Sequence, residues 1–180
     1  QGFIDGKYDY TTLHALWFDQ WLKGKDPQED HQAPVQVFLT GVNRWHEEQS
    51  WPPQEVRYKN LYLSKERDLS ETPMRGSGSD AYVYDPANPI PVLGGNTLIN
   101  PLFPAGVKDQ RFLDDRNDII RYIGDTLVHP ITVLGPLSMK LWVKSSAPET
   151  DFIARLIDVH PDGFAENLAD GILRVKSSEE

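Results

Sequence analysis

The chain has no cysteine among its 180 residues. That absence excludes a disulfide framework, a thiolate metal site and a cysteine nucleophile. Also missing is any run of about 18 apolar residues, so the sequence holds no candidate transmembrane helix. Basic charge is in short supply: Lys and Arg number 18 against 27 Asp and Glu, a formal charge of −9. A nucleic-acid or anionic-membrane partner would want a basic face, and this balance argues against both. Phosphate-cradling glycine loops are absent. Gly94–Gly95 is a lone pair, and the residues after it match neither the P-loop nor the dinucleotide fingerprint. A Gly-x-Ser-x-Gly nucleophile elbow is absent as well, because GSGSD at 76–80 has the wrong spacing and follows no apolar strand. A Ser/His/Asp triad therefore has no support in the sequence. The five histidines are His14, His31, His46, His129 and His160, and no two stand at the i, i+4 spacing of a helical zinc site. Nothing in the pattern calls for a metal or cofactor.

What is present is a helix followed by strands and turns. YTTLHALWFDQWLKGKDP places Leu13, Leu16, Trp17 and Trp21 at helical spacing, with Phe18 and Leu22 widening the stripe. Thr11 or Thr12 is expected to cap this helix, and Gly24 and Pro27 to end it, so the helix is expected over about 11–23. After the polar stretch up to Pro34 the pattern changes. VQVFLTG and RYKNLYLSK read as strands, and NRWHEEQSWPP as a loop with two Trp. AYVYDPANPIPVLGG reads as a short strand entering a Pro-rich loop in which a helix is excluded. The β-branched Ile119, Ile120 and Ile123 favour a strand before the Gly124–Asp125 turn. HPITVLGPLSMKLWVKSS holds two strands broken at Gly135–Pro136. Many short strands at turn spacing predict an all-β sandwich or jelly roll. The start at Gln1 and the stop at KSSEE, just after an apolar run, lead to the expectation of a piece of a longer chain.

DFIARLIDVHPDGFAENLADGILRV, residues 151–175, gathers Asp151, Asp158, His160, Asp162, Glu166 and Asp170. It fails as a calcium loop, because apolar residues separate the oxygen ligands. As a strand, Phe152, Ala154 and Leu156 face one way and Ile153, Ile157 and Val159 the other, with only Arg155 breaking its face. Apolar residues on both faces predict a central, doubly covered strand. HPDG then supplies a turn. The reading is a structural hairpin whose acids lie before the strand, at its end and in the turns. His46 in RWHEE has acidic neighbours, and surface salt bridging is favoured over catalysis. Trp45, Trp51, Tyr58 and Tyr62 fit a carbohydrate platform or a packed domain surface equally well. A stand-alone carbohydrate- or protein-binding sandwich module is therefore the alternative reading.

Several segments occur in one order: VFLTGVNRWHEEQSWPP, YVYDPANPIPVLGG, KDQR, SSAPETDFIARLIDVHPDG and NLADGILRV. In that order they resemble the C-terminal region of the cocaine-esterase, X-prolyl dipeptidyl-peptidase and α-amino-acid ester hydrolase superfamily. The resemblance implies a serine hydrolase built from an α/β-hydrolase domain, a helical cap and a galactose-binding-like jelly roll. It implies that 1–33 are the end of the hydrolase domain and a linker, and 34–180 the first part of an incomplete jelly roll. The catalytic Ser, Asp and His of the superfamily precede this region, so no residue here is expected to be catalytic. The implied partners are the hydrolase and cap domains of the same polypeptide, with a second copy as a further partner. One jelly-roll loop of the family approaches the acyl pocket, and LGGNTLINPLF is the best match to it. By that resemblance Leu98 and Ile99 help wall the pocket, and Gly94 and Gly95 allow the close approach. Compartment, and the choice among ester, β-lactam and X-Pro substrates, are not written in this segment.

Overall fold

A computed structural model describes residues 9–25, 33–73, 76, 78–97, 102 and 104–176. The helix α1 spans Tyr10–Lys23. Its N-cap is Asp9 rather than a threonine: the Asp9 carboxylate accepts from the backbone N–H of Thr11 at 3.1 Å and of Thr12 at 3.2 Å. The Thr12 hydroxyl donates to the same carboxylate. Oδ1 takes both orphan N–H groups, and Oδ2 takes the Thr12 hydroxyl, which leaves that threonine no part in capping. At the other end Gly24 adopts a left-handed conformation at φ 63° and returns its N–H to the Gln20 carbonyl.

The chain folds as two units, Gln1–Lys59 with Leu127–Leu137, and Asn60–Thr126 with Ser138–Glu180. In the first, β1 (Val35–Leu39) pairs antiparallel with β2 (Arg44–Glu48). RWHEE, expected as loop, is therefore a strand. Asn43 takes a positive φ of 52° beside Gly41 and turns the chain back. Phe38 then stands opposite Trp45, ring edge to ring face at 5.4 Å.

In the second unit, β3 (Tyr62–Leu63), β4 (Asp68–Ser70) and β5 (Ile123–Gly124) form a three-stranded ladder, with β4–β5 parallel. The strand expected across Ile119–Ile123 is thus reduced to its last residue and Gly124. A single 3₁₀ turn covers Arg111–Leu113. The longest ladder is β6 (Glu149–Val159) against antiparallel β7 (Ala165–Lys176). Its turn forms as the sequence predicts: the Gly163 N–H donates to the His160 carbonyl at 2.8 Å, and Gly163 sits at φ 84°. The Asp162 carboxylate accepts from the Phe164 N–H at 3.0 Å. Leu156 faces Ala169 while Ile157 faces Asn167, so Leu168 is bulged out of register.

Two features of this hairpin differ from expectation. β6 is an edge strand with one face open, and Ile153 is 59% exposed. The strands also reach further than the apolar runs that announced them. β7 starts at Ala165, so Glu166 and Asp170 lie inside it, and Asp151 lies inside β6. Cross-strand cations satisfy these acids. Arg174 grips its register partner Asp151 at 2.7 and 2.8 Å, and Arg155 grips its partner Asp170 at 2.7 Å.

AYVY and the two segments on either side of Gly135–Pro136 form no paired strand among the described residues. A β segment is held by a neighbouring ladder, and these have none. Among the described residues few are buried: Leu113, Ala165, Pro53 and Gly94, and the polar Gln110, Asp118 and Asn167. The chain is mainly β with a helix ahead of the strands, which fits an incomplete β-sandwich.

Candidate functional site

Two of the polar residues buried in the second unit, Gln110 and Asn167, converge on one loop. Gly95 and Gly106 exchange backbone hydrogen bonds at 2.8 and 3.0 Å, closing a neck under the residues between them. Gly94 and Gly95 sit at φ 77° and 72°, which favours glycine. Space demands it too. A Cβ on Gly94 would lie 2.4 Å from the Gly106 carbonyl oxygen, and one on Gly95 would lie 2.7 Å from Asp170 Oδ2.

Below the neck lies Gln110, only 2% exposed. Its Nε2 donates to the Leu93 carbonyl at 3.0 Å and to the Lys108 carbonyl at 3.1 Å. It thereby joins the limb entering the loop to the limb leaving it. Its backbone N–H donates to the Ala165 carbonyl of β7 at 2.9 Å. Its Oε1 accepts from the Arg155 guanidinium, which is itself tied to Asp170. Asn167, 6% exposed, accepts from the Lys108 N–H at 2.7 Å. Asp109 accepts from the Ala165 N–H at 3.3 Å and from Arg111 at 2.8 Å. The Arg111 guanidinium holds the Asp109 carboxyl down to about 2. Among the described residues, every buried side-chain nitrogen and oxygen has a partner. The network fastens the neck to the β6–β7 hairpin. Its members are amides, a guanidinium and carboxylates, each committed to a partner within the network.

Of the expected pocket-wall residues, Gly94 and Gly95 form this neck, while Leu98 and Ile99 lie outside the described residues. Of the acids of the β6–β7 segment, only Asp158 and Glu166 are brought together, as register partners beside His160. His160 Nε2 meets Glu166 at 2.9 Å, with Asp158 at 3.9 Å, and its ring packs edge-on against Phe164. His46 meets Glu48 at 2.9 Å across one strand face. Among the described residues no group of three or more His, Asp or Glu converges to hold a metal. Sequence reasoning missed Gln110, Asn167 and Asp170 as partners of the loop. One signal pointed there: Arg155 is the charge that breaks an otherwise apolar strand face. A second buried pair lies elsewhere in this unit. Arg116 holds Asp118 at 2.8 and 2.6 Å and reaches the Asn88 carbonyl at 2.7 Å. It lines an open polar cleft of about 310 Å³ with Asp85, Asn88 and Asp115.

A mainly β chain of short ladders, with buried amides that fasten a loop to the longest of them, has the fold class of an incomplete β-sandwich. Residues 28–180 match the family described as the X-Pro dipeptidyl-peptidase C-terminal non-catalytic domain, and the chain belongs to that family. It is similar to the cocaine esterase of Rhodococcus sp. (strain MB1 Bresler), with 39% identity over 178 residues. That alignment takes in 94% of this chain and 31% of the esterase. Among solved structures it is similar to an aminopeptidase from a marine sediment archaeon, Thaumarchaeota archaeon. There the TM-score is 0.66 at 25% identity, over 91% of this chain and 29% of that one. The chain thus spans about a third of the length of these relatives.

Proposed function

We propose that this chain is the supporting β-sandwich of a serine hydrolase acting on ester or X-Pro peptide acyl groups. In this reading 1–33 close the hydrolase domain and 34–180 open the jelly roll. The sandwich packs on the hydrolase and cap domains of the same polypeptide, and the loop above the Gly95–Gly106 neck walls the acyl pocket. The observation that carries the reading is the 39% identity to an esterase over nearly the whole chain. The apolar stripe of α1 supports the packing, since Trp21 is 66% exposed and no residue of the helix is buried. The built neck supports the loop's role, because two glycines at positive φ and a buried amide exceed what a bare turn needs.

In the mechanism, a serine of the hydrolase domain attacks the carbonyl, a histidine moves its proton, and water releases the acyl group. This chain contributes shape and dryness around the acyl group. Leu98→Ala and Ile99→Ala, made in the complete polypeptide, are expected to change kcat/KM by different factors for short and for aromatic acyl esters. The thermal midpoint is expected to stay within a few degrees, as for a change on a loop. Equal factors across the ester series would overturn the pocket-wall role.

A further inference from the structure

We propose that Arg155 and Gln110 are positioning residues, forming a buried latch that fixes how the Gly95–Gly106 loop is presented to the acyl pocket. The pocket rests on the reading above; the latch rests on the hydrogen bonds themselves.

A neck closed only by glycine backbone bonds opens easily, because glycine regains more freedom than any other residue when it does. Gln110 removes that freedom, since one side-chain amide donates to both limbs, at Leu93 and at Lys108. The amide works in only one orientation. Its oxygen faces the Arg155 guanidinium, so its nitrogen must face the limbs. Flipped, it would set N–H against N–H at Arg155 and oxygen against two carbonyl oxygens at the neck. Arg155 therefore decides which way Gln110 points. Arg155 is in turn held by Asp170, its partner across the hairpin, and the second carboxylate oxygen of Asp170 occupies the space a Gly95 side chain would need. Orientation passes from β7 to β6, then to Gln110, then to both limbs of the loop. An arginine side chain only 15% exposed is a costly choice at a strand position where the pattern calls for an apolar residue. Pairing with Asp170 engages only part of its donor fork, and the rest reaches Gln110.

The test is amide hydrogen exchange at Gly95, Gly106 and Lys108, followed by ester kinetics, both in the complete hydrolase polypeptide. Arg155→Met is expected to speed neck exchange by about tenfold or more, the loss of a charge-assisted bond, while amides within β6–β7 keep their protection. Arg155→Lys keeps the charge facing Asp170 and is expected to restore part of the protection. Gln110→Glu keeps the acceptor for Arg155 but turns oxygen toward the limbs, so it loosens the neck with the hairpin intact. In the polypeptide, Arg155→Met is expected to shift the aromatic-to-short acyl ratio of kcat/KM, mostly through KM, with Lys intermediate. Unchanged neck exchange in both Arg155→Met and Gln110→Glu overturns the latch. A loosened neck with an unshifted acyl ratio overturns the positioning role. If Leu98→Ala shifts that ratio in the same assay, the pocket reading survives; if it does not, the pocket reading falls as well.

Discussion

At the residue scale the most consequential charges are those removed from water. Asp118 is buried, and the bidentate grip of Arg116 holds its carboxyl below the ordinary carboxylate range. A lowered folded pKa means that the stabilisation is fully present above the ordinary Asp range, about pH 3.9, and is lost as pH falls through the lowered value. Asp19 and Asp109 are held down to about 2 by lysines and by Arg111, and they act in the same direction from more exposed sites. Urea midpoints at pH 7 and pH 3 give the test. The parent chain is expected to lose stability between the two values. Asp118→Asn is expected to start lower at pH 7, because Arg116 is left half-paired, and to fall less on acidification. An equal fall in both proteins would remove Asp118 from the account. The same residue scale explains why adjacency in sequence misled. The acids around His160 sit side by side in the sequence, yet only Asp158 and Glu166 share it, while Asp151 is committed to Arg174 and Asp170 to Arg155.

At the scale of elements, the β6–β7 hairpin organises the second unit, and its turn is its most constrained point. Gly163 sits at φ 84°, while a Cβ there would meet nothing nearer than Arg111 Nη1 at 3.6 Å. The constraint is the backbone angle and not crowding. Gly163→Ala is expected to cost about 1–2 kcal/mol, the penalty for placing an L side chain in the left-handed region. Gly171→Ala, in the middle of β7 with open space around it, is expected to lie within about 0.5 kcal/mol of the parent. Denaturation midpoints of the two variants separate the effects, and equal midpoints would show that the turn angle is not limiting. The hairpin was legible in the sequence because alternation and a Pro-Asp-Gly turn are local signals. Its extent was not, because β7 begins with AENLAD, whose acids and amide enter a strand only when Arg155, His160 and the neck of the loop stand beside them. RWHEE was misread as a loop for a similar reason: a polar, Trp-bearing run becomes a strand once Val35–Leu39 offers its edge.

At the scale of the molecule, apolar exposure dominates. Trp142 is 86% exposed, and among the described residues no large side chain is fully buried. Scattered apolar residues on a surface are ordinary, but described residues with no fully buried large side chain among them leave much hydrophobic stabilisation unrealised. Alone at pH 7, the chain is expected to bind a hydrophobic dye strongly and to associate as its concentration rises. Both properties are expected to diminish when it is carried within the longer polypeptide. Dye fluorescence and sedimentation velocity read the two states, and a monomeric chain that leaves the dye dark would contradict the incomplete sandwich. The sequence by itself determined the class. Strand and turn periodicity made it β, and the helical stripe set α1 ahead of the strands. Those signals span one turn of helix or one pair of strands, so they survive in a linear reading. Only the tertiary structure decided the latch, because its bonds join residues far apart in the chain. Lys108 meets Asn167 across 59 positions and Gln110 meets Arg155 across 45. A buried amide or guanidinium is stable only when every partner is already in place. No single one of these residues announces that arrangement, and the fold assembles it at once.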